Sequence, residues 1–322
     1  MGEFDLIRQF FQRPAVPGGA VALGVGDDCA LLDLAPGMQL AVSCDMLVEG
    51  RHFLATVDAA LLGHKALAVN LSDLAACGAR PLAFTLALSL PAVDAAWLAG
   101  LAQGLFALAD AHGCQLMGGD TTRGPLNLCI TVFGEVPRGG ALLRSGARAG
   151  DELWVSGTLG DARLALEVFR GRLSVPEAVF AAARARMEQP TPRVALGLAL
   201  RGIASSAIDI SDGLAGDLGH VLRASGVGAT LDADAVAGTL AARGAVALDA
   251  AMQRSLTLAG GDDYELAFTA PADRSADVEA AARSAGVPVT RIGRIEAEPG
   301  LRVVDAQGRP VDQRFASFDH FG

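Results

Sequence analysis

Short strand-like apolar runs alternate with helix-like stretches along this whole chain, and that alternation restricts the fold more than any other feature. In the first half, an amphipathic start at 4–11 precedes strand-like runs at 21–25 and 39–44. A helical stretch follows at 59–77, then strands at 83–90 and 126–133 on either side of a helix at 93–111. The second half opens with a strand at 152–155 and helices at 162–170, 176–187 and 193–200. Strands at 206–210 and 265–269 follow, separated by a helix near 214–224. Run length and periodicity distinguish the two kinds of segment, and their interleaving predicts a layered α/β (α+β) domain in each half. The Gly- and Arg-rich segment at 137–150 is the expected boundary, giving domains at 1–137 and 151–322 joined by a connector at 138–150.

The bulk numbers fit this organisation and remove several functions. With 322 residues, 51% of them apolar, the chain has enough material for two packed cores. Asp, Gly, Pro, His or Arg interrupts each apolar stretch before a spanning length, so no transmembrane helix is expected. The segment after Met1 is acidic and then amphipathic, which predicts no secretory signal and a cytoplasmic location. A net charge of −10 disfavours a nucleic-acid surface, because phosphate backbones are held by summed positive charge. Cys29, Cys44, Cys77, Cys114 and Cys129 form no Cys-x-x-Cys pair, so they read as reduced thiols rather than a zinc site or a disulfide framework. Lys65 is the only lysine and stands in Gly-His-Lys-Ala-Leu, so the usual lysine-bearing phosphate loop is missing. Gly24-Val-Gly26 lacks the third glycine of a dinucleotide fingerprint. Any nucleotide must therefore be held by other means.

Aspartates recur where apolar runs end, which is where functional loops are usually presented. The places are Asp27 and Asp28 after Gly26, Asp45 after the run at 40–44, and Asp120 after Gly118-Gly119. Asp209 and Asp212 flank Ser211, and Asp262, Asp263 and Glu265 follow Gly260-Gly261. Singly, each is satisfied by a turn or a helix cap. Together they repel: like charges about 4 Å apart interact by about 4 kcal/mol at an effective dielectric of about 20, so gathered carboxylates need a cation. Hard oxygen donors in this number suit Mg²⁺, which in turn brings phosphate oxygens.

Asp73 joins this set for a different reason. In the helix at 59–77, Leu62, Ala66, Val69 and Asp73 share one face, and an unpartnered carboxylate on an apolar stripe is costly to bury. A metal ligand at the inner end of the helix, with Asn70 beside it, accounts for this. A satisfied helix-end residue or an ion pair with Lys65 is the alternative.

The motifs Gly-Val-Gly-Asp-Asp-Cys-Ala-Leu-Leu, Leu-Ala-Val-Asn-Leu-Ser-Asp-Leu-Ala-Ala-Cys-Gly-Ala, Gly-Gly-Asp-Thr-Thr-Arg-Gly, Ile-Asp-Ile-Ser-Asp-Gly-Leu and Gly-Gly-Asp-Asp-Tyr-Glu-Leu occur in that order. Together they resemble the thiamine-monophosphate kinase family, from Gly2-Glu-Phe at one end to Phe318-Asp-His-Phe at the other. The resemblance implies the two-domain architecture of aminoimidazole ribonucleotide synthetase and its relatives. In it an N-terminal sheet domain pairs across a homodimer and a C-terminal α/β domain closes over the nucleotide. It implies phosphorylation of thiamine monophosphate to thiamine diphosphate, with ATP as co-substrate and several Mg²⁺ ions. By position, Asp28, Ser43, Cys44, Asp45, Asp73, Asp120, Asp209 and Asp212 fall on the family's metal-binding residues. Gly119, Asp120, Arg144 and Ser211 fall on its ATP contacts, and His52, Asp262 and Phe318 on its substrate contacts. Cys44 stands where threonine is common, which implies contact through its carbonyl oxygen because a thiol is a poor Mg²⁺ ligand. Asp262 stands where glutamate is usual.

The chemistry so implied needs no general base, since the accepting phosphate oxygen is ionised at neutral pH and the obstacle is repulsion between two anions. Among enzymes of similar architecture, selenophosphate synthetase requires a reactive cysteine near its N-terminus and the hydrogenase-maturation carbamoyl dehydratase a C-terminal one. Neither stands here. Aminoimidazole ribonucleotide synthetase is the nearer rival, and the Gly-Gly-Asp-Asp-Tyr-Glu-Leu run favours the kinase. A calcium-buffering module would carry an Asp-x-Asp-x-Asp-Gly loop, which the chain lacks.

Overall fold

The computed structural model describes residues 2–14, 16 and 18–315. These fall into two compact units, one of residues up to Leu74 with Ala79–Gly139, the other of Ala75–Gly78 with residues from Gly140 onward.

The first unit begins with a short helix, α1 (Glu3–Leu6), that continues through a π-helical turn at Ile7–Phe11. Strands β1 (Val21–Leu23) and β2 (Leu31–Leu32) pair as a small antiparallel sheet. Then follow β3 (Met38–Val48), α2 (Ala59–Ala76), β4 (Arg80–Leu90), α3 (Ala95–Ala111), β5 (Gln115–Arg123) and β6 (Asn127–Pro137). The main sheet has the order β3-β6-β4-β5. Strands β4 and β5 are parallel, because α3 carries the chain back across one face between them. The other pairs are antiparallel.

Alternation along β6 shows which face is covered: Leu128, Ile130 and Val132 are buried, and the residues between them are half-buried. Leu62, Ala66 and Val69 of α2 and Leu98, Leu101 and Leu105 of α3 are buried as well. The two helices cross at glycines. A Cβ on Gly104 would lie 1.8 Å from the Ala60 carbonyl oxygen, and one on Gly63 would lie 2.1 Å from that of Leu101. Asp94 starts α3 by accepting the backbone N–H groups of Ala96 and Trp97. On its other face β3 exposes Leu40, Val42 and Met46, at 45%, 54% and 51%.

The second unit contains β7 (Glu152–Ser156), α4 (Asp161–Phe169), α5 (Glu177–Glu188), α6 (Val194–Ala199), β8 (Ser206–Asp209), α7 (Leu214–Ser225) and β9 (Gly228–Asp232). After these come α8 (Ala233–Ala237), α9 (Ala250–Ala259), β10 (Leu266–Ala270), α10 (Ser275–Ala285), β11 (Val289–Glu296) and β12 (Gly300–Val304). Its sheet runs β12-β9-β11-β7-β10-β8, with only β12 and β9 parallel among the adjacent pairs. One core gathers Val155, Ile208, Ile210, Leu218, Leu231, Ala267 and Ile292. A second, smaller one joins Leu164, Ala183, Met187 and Leu256 from α4, α5 and α9.

The sequence reading underestimates two strands. Asp45 lies within β3 and Asp120 within β5 rather than beyond the ends of apolar runs. In β3 the polar Ser43 and Asp45 alternate with apolar residues, so a search for continuous apolar runs stops early. In β5 two glycines mask the strand: β4 pairs Phe84 with Leu116 and Thr85 with Gly118, so Met117 is an extra residue in a bulge. A Cβ on Gly119 would lie 1.9 Å from the Leu86 carbonyl oxygen, so glycine is required there. The segments that form β9, α8, α9, α10, β11 and β12 are rich in Ala, Gly and Arg, and the sequence predicts no element there.

Candidate active site

In the first unit, two groups of expected site residues come together. One is the corner where β3 meets α2. Ser43 and Asp45 share a face of β3, and the Ser43 hydroxyl donates to the half-buried Asp73 carboxylate. That contact satisfies the carboxylate on the apolar stripe. Lys65 stands eight residues earlier on the same helix, about 12 Å along the axis, and is itself buried. Asn70 is wholly buried and serves as a strut: its amide donates to the Ala66 carbonyl (3.0 Å) and its oxygen accepts the Asp45 N–H (3.0 Å). Cys44 turns to the opposite face, where its sulfur lies 3.5 Å from that of Cys129. Burial and the Cys44 sulfur push the Cys129 thiol up to about 11. The Cys44 thiol therefore does not join Ser43 and Asp45.

The second group lines a cavity of about 850 Å³. Asp27 and Asp28 stand on one side and Gly118, Gly119 and Asp120 of β5 on another, while Phe4, Ile7 and Phe11 of the N-terminal segment complete the wall. Asp28 and Asp120 are exposed, and the Asp28 N–H donates to the Asp27 carboxylate (2.8 Å). The sequence reading gave the N-terminal segment no role. Its amphipathic pattern was legible, but buried Leu6 and Phe11 explain that pattern as packing. His52 stands apart from both groups in the turn after β3, where its Nδ1 accepts the Val48 N–H (3.0 Å). That hydrogen bond puts the proton of a neutral ring on Nε2.

In the second unit, Asp209 ends β8, Ser211 and Asp212 follow it directly, and the loop at 260–265 faces them. The N–H groups of Asp262 and Tyr264 donate to the carbonyls of Ser211 and Ile210, each at 2.8 Å. Asp217, in the first turn of α7, accepts three successive N–H groups, from Ser211, Asp212 and Gly213, at 3.0 to 3.1 Å. Burial raises its carboxyl to about 6, with the Asp212 charge assisting and the three donors opposing. Arg144 is exposed on the segment after Gly139, its carbonyl accepting the Ser225 hydroxyl (3.2 Å). Phe318 lies outside the described residues.

Two acids that the sequence places among the carboxylates calling for a cation are instead buried with internal partners. Asp263 is only 3% exposed and its carboxylate accepts the Gly160 N–H. Burial pushes it well above the usual carboxyl range, against that hydrogen bond and with help from nearby Asp161. Fully buried Glu265 accepts from Ser156, Arg186 and Arg193. Both belong to a motif the sequence displays, but their partners lie too far along the chain to be read from it.

Among the described residues, no three His, Cys, Asp or Glu side chains stand close enough to form a metal cage. The donors are nonetheless of one kind. Carboxylates and a serine hydroxyl are hard oxygen ligands, and Mg²⁺ typically takes one or two protein carboxylates together with water and substrate phosphates. The residues present fit that ion and not a soft metal.

Residues 26–136 match the family model described as AIR synthase related protein, N-terminal domain, and residues 148–306 match its C-terminal domain. The thiamine-monophosphate kinase of Salmonella typhimurium (strain LT2) is 47% identical over 322 residues, covering 99% of this chain and 98% of that one. The crystal structure of thiamine-monophosphate kinase from Stenotrophomonas maltophilia K279a superposes with a TM-score of 0.83 at 46% identity, over 91% of this chain and 92% of that one. A structure of AaThiL complexed with AMPPCP and TMP gives a TM-score of 0.73 at 27% identity, over 99% of this chain and 96% of that one. No helix among the described residues is long and apolar enough to cross a membrane. With this identity over nearly its whole length, the chain belongs to the thiamine-monophosphate kinase family, kinases built from two AIR synthase related domains.

Proposed function

We propose that this chain transfers the γ-phosphoryl group of ATP directly to the phosphate of thiamine monophosphate, giving thiamine diphosphate in the cytoplasm. The observation that carries this reading is the cavity that gathers Asp28, Gly119 and Asp120. It occurs in a chain similar along its whole length to kinases of that name, one of its structural neighbours being a complex with AMPPCP and TMP.

Asp28, Asp45, Asp73, Asp120, Asp209 and Asp212, with Ser43 and the carbonyl of Cys44, are the oxygen donors we assign to several magnesium ions. Bound there, magnesium would neutralise charge on both reactants and favour their approach in line. Gly119, exposed on the cavity wall, offers its backbone to the nucleotide, and the exposed Arg144 offers a planar bidentate fork for its phosphates. Ser211 adds a hydroxyl contact. His52, presenting a donor at Nε2, contacts thiamine monophosphate together with Asp262 and Phe318. No residue is assigned as general base. Catalysis then rests on positioning and electrostatics, which together supply several kcal/mol in such transfers.

We also infer a homodimer formed through the first unit's sheet. The exposed alternate residues Leu40, Val42 and Met46 on β3 support this, since an apolar stripe of period two is the mark of a sheet face that packs on something.

The site assignments are tested by steady-state kinetics. Asp28→Asn and Asp45→Asn should lower kcat by about 10²-fold or more without loss of folding, and Arg144→Ala should raise the KM for ATP. Near-normal turnover in both Asp variants would refute the metal roles, and an unchanged KM for ATP would remove Arg144 from the nucleotide site.

A further inference from the structure

Among the described residues, only Asp262 and Tyr264 combine a side chain with a left-handed backbone, at φ +72° and +52°. Glycine tolerates that region and other residues do so under strain, so something must hold this loop in place. The two strained residues flank Asp263, whose side chain points the other way: Asp263 and Glu265 are buried, and Asp262 and Tyr264 are partly exposed. Both Asp263 carboxyl oxygens lie within hydrogen-bond distance of the Gly160 nitrogen, at 3.1 and 2.9 Å. Gly160 has no room for a side chain. Its φ is +83°, and a Cβ there would lie 2.8 Å from the Leu256 carbonyl group. Two residues on, Glu265 is clamped by Arg186 (2.7 Å) and Arg193 (2.6 Å). The backbone N–H groups of Asp262 and Tyr264 are tied to Ser211 and Ile210.

We propose that Asp263 is a positioning residue: anchored on Gly160, it forces the loop into its left-handed path and so turns the Asp262 side chain towards the phosphate acceptor. This rests on the assignment of Asp262 to the acceptor given above. Asp263 itself touches no reactant. Its role needs an acceptor oxygen for the Gly160 N–H, which an asparagine also provides, and needs that oxygen at one distance from the backbone.

The test is steady-state kinetics on the full chain. Asp263→Ala should raise the KM for thiamine monophosphate about tenfold or more, the scale of effect that small misplacements produce. Its kcat and KM for ATP should stay within about twofold, and Asp263→Asn should restore the acceptor KM. Equal rises in both KM values, no change, or failure of Asp263→Asn to restore would each overturn the proposal. Asp263→Glu keeps the acceptor group but displaces it by a methylene, so it should show the same split; if Asp263→Ala does not fold, this variant decides. Asp262→Ala, assayed in parallel, separates the two claims. If it leaves the acceptor KM unchanged, the assignment of Asp262 is wrong. Positioning is then judged by hydrogen exchange at the amides of Asp262 and Tyr264, where faster exchange in the Asp263 variant supports it and unchanged exchange overturns it.

Discussion

At the scale of single residues, this protein repeatedly pairs a carboxylate with a donor that is remote in sequence. Asp73 meets Ser43, Asp263 meets Gly160, and Glu135 meets Arg80 and the Ala35 N–H. Burial pushes the Glu135 carboxyl up, but the Arg80 hydrogen bonds and the Ala35 N–H outweigh burial and hold it below its ordinary value. A carboxylate whose folded pKa lies below its unfolded one stabilises the fold above the unfolded pKa, about 4.3 for glutamate, and loses that contribution as pH falls through the folded value. Glu135→Gln should therefore lower Tm at pH 7, by the equivalent of about 1 kcal/mol given the exposed Arg80. The gap to wild type should close below about pH 4, and thermal melts showing the same gap at pH 7 and pH 3 would contradict this. Residues such as Asp28, Asp120 and Asp212 were legible because each stands in a local Gly-Asp or Ser-Asp turn signature. Asp217 was not, since it receives backbone N–H groups whose placement only the folded chain reveals. Asp263 and Glu265 stand in such a signature too, but burial and their internal partners remove them from the cation-binding set.

At the scale of elements, α2, α3, β4, β6 and β7 were readable because each carries one strong period or one continuous apolar run. Strand β3 was half legible: its apolar run marks where it starts, and its inward polar residues disguise where it ends. Those same inward residues, Ser43 and Asp45, are the ones we assign to the site, so the strand's weakest pattern coincides with its proposed chemistry. On the outward face the alternation of Leu40, Val42 and Met46 carries the proposed dimer. Replacing Val42 with aspartate puts an unpaired charge in the middle of that stripe, at a penalty of several kcal/mol if the face is buried. Light scattering should then report a monomer where wild type is a dimer. A wild-type monomer, or a variant dimer of unchanged stability, would contradict the assignment of this face.

For the whole molecule, the interleaving of strands and helices was enough to predict α/β layers, and the comparisons show the two AIR synthase related domains that the motifs implied. Strand order, the mixed sheet of the second unit and its one parallel pair were not legible, because they depend on long-range pairings that no local pattern encodes. The expected site residues divide between the two units, and neither unit holds the full set. The central claim is that the γ-phosphoryl group of ATP ends on thiamine monophosphate, and the measurement that tests it most directly uses ATP labelled with ¹⁸O throughout the γ-phosphate. Incubated with magnesium, thiamine monophosphate and the purified chain, it should give thiamine diphosphate whose terminal phosphoryl carries the three labelled non-bridging oxygens, as read by mass spectrometry. Product lacking the label, or ATP consumed without thiamine diphosphate appearing, would contradict the account.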